Sequence, residues 1–171
     1  MTFSDRPLRR KYARIERERR FLVESLPAQL DPNAFERLCD CFIEGTHLRL
    51  RRVESPSGDV LVVKLGQKIV DRDAPDDPRR REMTTIYLPE SEAARLAFRG
   101  LRSTKRRYKL REQGWTFCID VWEEPVHVIV AEVECPTDAE LDAIDVPLWA
   151  LREVTEDPKY GAVALAASNR S

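Results

Sequence analysis

The apolar positions of this chain fall mainly into short strand-like segments: 14–23, 47–54, 59–66, 82–88, 103–110, 115–122 and 127–135. Most are rich in Val, Ile, Leu, Tyr or Trp and are bounded by turn residues. Ser55-Pro56-Ser57-Gly58-Asp59 predicts a hairpin turn between the second and third, Glu112-Gln113-Gly114 one between the fifth and sixth, and Glu123-Glu124-Pro125 separates the sixth and seventh. Residues 71–81 read as a polar loop. Helical spacing occurs at 91–98, through Ala94, Leu96 and Phe98, with Gly100 as a stop. A capping box, Thr137 to Glu140, precedes Leu141 and Ile144, and Asp157-Pro158 marks a third helix start. Hairpin-linked strands with few helices predict an α+β, mainly antiparallel β protein, either sandwich or barrel.

Side chains two apart share a face of a strand, and the faces separate those two architectures. Glu16, Glu18 and Arg20 share one face; so do Arg49 and Arg51 with His47, Lys105 and Arg107, and Glu132 and Glu134 with Val128 and Val130. Lys64 shares a face with Val60 and Val62. A sandwich turns an apolar face inward. Like charges on neighbouring positions repel, so random surface decoration would mix signs more freely. Several strands each aiming a like-charged pair at one face predict a polar interior, built for a polyanion and a metal. Arg52 and Arg106 fall on the opposite faces and are expected in solvent.

Composition narrows the setting. The chain has 171 residues, enough for one domain with a sizeable core. We divide it into a basic N-terminal segment, 1–12, and a single domain, 13–171. The net charge of −1 argues against a general nucleic-acid coat or membrane-surface protein. Positive charge nonetheless gathers at 6–20, 49–52, 79–81 and 102–111, and negative charge around 132–145. No run approaches a membrane helix in length, and no apolar segment follows the basic start. Cys39, Cys41, Cys118 and Cys135 lack CxxC spacing and suit reduced thiols in the cytoplasm. With only His47 and His127 to add, a zinc site is not expected.

The ordered strands resemble the CYTH superfamily, the triphosphate tunnel metalloenzymes. The stretch Arg14–Val23 resembles its N-terminal Glu-x-Glu-x-Lys motif; Glu44–Arg52 its second strand; Val62–Lys64 its lysine strand; Arg81–Thr84 the acidic strand that follows. Lys105–Tyr108 resembles the Lys-x-Arg strand, Cys118–Trp122 and Ala131–Glu134 the two late acidic strands, and Glu153–Thr155 with Asp157–Tyr160 the C-terminal end of short bacterial members. The resemblance implies an eight-stranded closed tunnel barrel with a few flanking helices, and 151–155 is the candidate for the strand not otherwise visible.

It also implies a chemistry. Arg20, Arg49, Arg51, Lys64, Lys105 and Arg107 would hold phosphates. Glu16, Glu18, Glu82, Asp120, Glu132 and Glu134 would bind Mg2+ or Mn2+, hard ions that take oxygen ligands. Glu18 or Glu134 would position the attacking water. The expected activity is metal-dependent hydrolysis of inorganic triphosphate or a related triphosphate. The alternatives are a thiamine or nucleoside triphosphatase, an adenylate cyclase-like enzyme, or a polyphosphate- or nucleotide-binding protein with weakened catalysis. The partner is a triphosphate-containing small molecule, with no membrane and no nucleic acid expected. Two departures stand out: Arg20 replaces the motif's lysine, and Thr84 stands where a second glutamate is common. His47 lies on the Arg49 face, Trp115 and Trp122 read as packing, and Tyr160 as closing one tunnel end.

Overall fold

A computed structural model describes residues 11–168. Nine strands run in the order β1 (Arg14–Val23), β2 (Glu36–Ile43), β3 (Leu48–Glu54), β4 (Val60–Val70), β5 (Arg80–Leu88), β6 (Gly100–Glu112), β7 (Trp115–Glu124), β8 (Ile129–Glu134) and β9 (Ala150–Glu153). Every pairing is antiparallel. The sheet order is β5-β4-β3-β2-β6-β7-β8-β1, and β5 pairs again with β1, so eight strands close into a barrel. Closure removes the sheet edges. β9 stands outside the ring: it pairs Phe21–Val23 on the same edge of β1 that β5 occupies at Arg14–Arg17.

The eighth barrel strand is therefore β2, and not the 151–155 candidate, whose residues lie largely in the ninth strand. Sequence reading missed β2 because its inward face carries Leu38, Asp40 and Phe42, and a charge in the middle of that row hides the apolar alternation. The first helix is also shorter than expected, α1 spanning only Glu90–Ala93. α2 (Asp138–Asp142) carries the predicted capping box, with Glu140 N–H donating to Thr137 Oγ1 at 3.2 Å and Thr137 N–H to Glu140 Oε2 at 3.0 Å. Asp157-Pro158 starts a single 3-10 turn, Pro158–Tyr160, followed by α3 (Ala162–Ala167).

The main apolar core lies outside the barrel wall. Phe21, Tyr108, Leu110, Phe117, Ile119, Ala131 and Val133 point outward and are buried beneath Leu141, Ile144, Trp149 and the loop carrying Leu26, Leu30 and Phe35. Phe117 meets Phe21 and Trp149 edge-on, with ring centroids 6.2 and 5.2 Å apart. Trp115 packs against this layer as expected. Burial of these side chains, each worth about 1.5–3 kcal/mol, stiffens the wall from outside and frees the inner face for charge. A smaller cluster closes one end: tunnel-facing Trp122 and Val130 pack against Leu165 of α3, with Tyr160 and Ala162 alongside. Tyr160 and Trp122 thus both belong to the tunnel floor.

Candidate metal and anion site in the tunnel

Residues directly opposite on paired strands share a face, and the register turns the predicted charged faces inward together. Two pairings oppose like charges. Arg51 of β3 faces Lys64 of β4, and Glu18 of β1 faces Glu134 of β8. Like-charged pairs elsewhere are bridged by a carboxylate: outward Arg37 and Arg106 both reach Glu123, at 2.7 and 2.8 Å, and Arg17 and Arg80 both reach Asp138, at 3.0 and 2.7 Å. Among the described residues no single side chain bridges both members of either inward pair: Asp40 holds Arg51, Lys68 reaches Glu18 and Arg14 approaches Glu134.

At the cationic pole, Arg51 grips Asp40 of β2 through Nε and Nη2, both at 2.7 Å. Burial alone would raise the Asp40 pKa, but the Arg51 guanidinium holds it down to about 2. Arg49 lies 3.9 Å from the same carboxylate and makes no closer ion pair among the described residues. Lys64 makes none. Burial, then Arg51, Arg49 and Arg107, push the Lys64 ammonium below its ordinary pKa. One aspartate thus stands against three cations, leaving positive charge in excess at this pole.

Lys105 and Arg107 of β6 stand beside them. Arg107 holds Asp120 of β7 with two hydrogen bonds, 2.6 and 2.7 Å, and reaches Glu132 of β8 at 2.8 Å. Lys105 contacts Asp120 and lies over the Trp122 ring, 4.6 Å from its centroid. Burial drives the Lys105 pKa down despite Asp120. The same cations outweigh burial at Asp120 and keep it well below the usual carboxylate range. Asp120 therefore orients the two cations. Glu132, directly opposite Arg20, is likewise engaged through Arg107.

At the anionic pole, carboxylate oxygens of Glu16, Glu18 and Glu134 lie within 4.8 Å of one another. Burial, then Glu16 and Glu18, raise the Glu134 pKa to about 7. Three carboxylates gathered at such cost suit a hard divalent cation. Glu16 Oε2 is buried, and the Lys68 ammonium is in contact with it. Arg14 approaches from the rim, 3.8 Å from Glu16 and 3.9 Å from Glu134.

Three residues depart from expectation. Glu82 does not face the tunnel: it stands opposite Ile15 and Ile69 on the outward face and pairs with Arg72 at 3.2 Å. Thr84, one side-chain period further along, is outward too, so a glutamate there would not add a ligand to this cluster. The inward residues of β5 are Arg81, Met83, Thr85 and Tyr87. Arg20 is tunnel-facing but its Nη2 donates to the Thr155 carbonyl at 2.8 Å. Its buried Nε has no hydrogen-bond partner among the described residues and lies 3.9 Å from Glu18. His47 is exposed in a turn. Arg52 faces outward as expected and pairs with Glu54 at 2.8 Å.

Among the tunnel residues that sequence reading missed, two pair closely with the site's charged groups. Asp40 went unseen with its strand. Lys68 lies just past the end assigned to the 59–66 segment, although its spacing of four from Lys64 puts it on the same face. Its Nζ is 2.8 Å from Glu18 Oε2 and also contacts Glu16 Oε2.

The eight strands close into an antiparallel barrel with a charged interior, the architecture that the resemblance to the CYTH superfamily implies. No family model and no curated protein sequence matches the chain. Among solved structures, it is similar to the inorganic triphosphatase NE1496, with 24% identity, a TM-score of 0.58, and coverage of 91% of this chain and 97% of that one. It is also similar to a provisionally assigned adenylate cyclase from Bacillus halodurans, with 14% identity, a TM-score of 0.56, and coverage of 77% and 86%. At these identities the likenesses show a shared fold alone.

Proposed function

We propose that the chain is a divalent-metal-dependent triphosphatase acting on inorganic triphosphate. The observation that carries this reading is the pair of like-charge contacts inside one barrel: Arg51 against Lys64, and Glu18 against Glu134 with the Lys68 ammonium as the cation on Glu18. The first calls for an anion and the second for a cation. A metal-bound polyphosphate supplies both at once. The likeness to NE1496, named an inorganic triphosphatase, favours the same substrate. The apolar floor at Trp122, Val130 and Leu165 favours a short ligand, and the four unpaired thiols suit a cytoplasmic setting.

Arg49, Arg51 and Lys64 would bind phosphate oxygens, with Lys105 and Arg107 held behind them by Asp120. Neutralising those oxygens is most of what phosphoryl transfer asks of a protein. Glu16, Glu18 and Glu134 would hold Mg2+ or Mn2+. The ion would draw charge from the phosphate chain and lower the pKa of bound water. Glu18 or Glu134 would position the attacking water. Glu132 borders both poles, and Arg20 braces β1 against the C-terminal segment.

One observation favours a second reading. Arg20, in place of the motif's lysine, spends a donor on the Thr155 carbonyl, which suits a protein that binds a polyphosphate with weakened turnover. Phosphate release from inorganic triphosphate, thiamine triphosphate and ATP, each with Mg2+ and with Mn2+, separates the readings. Release greatest from inorganic triphosphate and abolished by chelator supports ours. Tight binding without release supports the second, and preference for a thiamine or nucleoside ester would replace our substrate.

A further inference from the structure

Lys68 occupies the place where the metal-site reading puts the ion. It is presented by β4, facing inward opposite Met83, and it lies four residues from Lys64 on the same face. Its ammonium touches two of the three clustered carboxylates, at Glu18 Oε2 (2.8 Å) and Glu16 Oε2. Glu16 and Glu18 are only 6% and 8% exposed, too buried to rely on water for their charge. Lys68 itself is only partly buried, with its side chain 36% exposed, so the ammonium has room to leave.

We propose that Lys68 is a tethered counter-ion that the divalent metal must displace, so that metal enters tightly only together with the phosphate chain. The proposal rests on the metal-site reading above. A divalent ion on the Glu16 and Glu18 oxygens and an ammonium against the same atoms repel each other strongly at that separation. The displaced ammonium needs a new partner. Along its own strand face lies Lys64, part of an unbalanced cationic pole that repels it while the tunnel is empty. Phosphates bound at that pole reverse the local sign and give Lys68 oxygens to hold. Anion binding therefore favours release of Lys68 and, through it, metal binding; reciprocity requires metal to favour the anion by the same factor. In the absence of both, Lys68 keeps the buried carboxylates neutralised.

The test is direct Mn2+ binding, followed by electron paramagnetic resonance of the free ion, with and without a methylene-bridged triphosphate analogue. Wild type is expected to bind Mn2+ weakly alone and about tenfold or more tightly with the analogue. Lys68→Met is expected to bind Mn2+ about tenfold or more tightly without the analogue, and to gain less from its addition. Lys68→Arg, which keeps the charge, is expected to behave as wild type. An analogue-independent Mn2+ affinity in wild type overturns the proposal without any variant. A folded Lys68→Met that binds Mn2+ no more tightly than wild type also overturns it, and Lys68→Gln serves if the methionine variant does not fold. Glu18→Gln separates the two layers: if it weakens Mn2+ binding while the lysine variants do not alter it, only the Lys68 role fails; if it leaves Mn2+ binding unchanged, the metal-site reading fails with it.

Discussion

The strongest single-residue consequence concerns Lys64, which faces Arg51 with no carboxylate of its own. Lys64→Met should relieve repulsion in the empty tunnel while removing a phosphate contact. We expect KM for triphosphate to rise about tenfold or more, consistent with about 1.5–3 kcal/mol for a charge-assisted hydrogen bond, with unfolding stability unchanged or improved. Steady-state kinetics beside a denaturant curve measure both; loss of stability without a change in KM would contradict the assignment. Glu134 gives a pH signature. Its folded pKa of about 7 lies above the ordinary value of 4.5. Between those values the folded state holds the proton more tightly than the unfolded one, so its share of stability falls as pH rises through that window. Metal-free Glu134→Gln should therefore melt higher than wild type at pH 8, by about 2–4 °C for a solvent-screened repulsion worth up to ~1 kcal/mol, and nearly level with it at pH 5. Equal offsets at both pH values would refute the shift. The inward charges of β1, β3, β6 and β8 were legible because like signs two residues apart are costly and hence informative. Lys68 was not, because a lone lysine beyond a strand's apparent end has no such partner in the sequence.

Among elements, the instructive case is β2. Its pairing with β6 is tight where Gly100 opposes Ile43: a side chain at Gly100 would put Cβ 1.9 Å from the Phe42 carbonyl oxygen. Backbone cannot yield as a flexible side-chain end does. Gly100→Ala should cost about 3 kcal/mol or more, among the larger single-residue effects, read as a drop in the denaturant midpoint. An unchanged midpoint would mean that the β2–β6 register is wrong. Sequence placed Gly100 as a helix stop, when its role is close approach between strands. The capping box of α2, by contrast, was fully visible, because its hydrogen bonds join residues only three apart. Strand pairing depends on partners far along the chain: Asp40 meets Arg51 and Ser103, and no local pattern announces either. Parity errors have the same origin. Glu82 reads as a ligand only through the resemblance of Arg81–Thr84 to the family's acidic strand, and the register with Ile15 shows it facing the other way.

At the scale of the whole molecule, the barrel is built with its oil outside and its charge inside. The apolar layer under α2 and the 144–150 segment supports the wall, while carboxylates within hold the cations in place. Asp40, Asp120 and Glu132 all have lowered pKa values, so the stability they contribute is present above the ordinary carboxylate range and lost as pH falls below it. The unbalanced cationic pole predicts a large ligand effect. Tripolyphosphate added without metal at about 100 times its dissociation constant should stabilise the fold by about 2.7 kcal/mol, or about 5–10 °C in Tm for a chain of this size. No shift at millimolar ligand would leave that pole without an anion. The central claim is that one tunnel holds both poles of a single ligand–metal complex. It is tested most directly by a crystal structure with Mn2+ and tripolyphosphate, the ion located by its anomalous scattering. The account predicts Mn2+ on Glu16, Glu18 and Glu134, with phosphate oxygens on Arg49, Arg51 and Lys64. Ion and phosphates found only on the outer wall would contradict it.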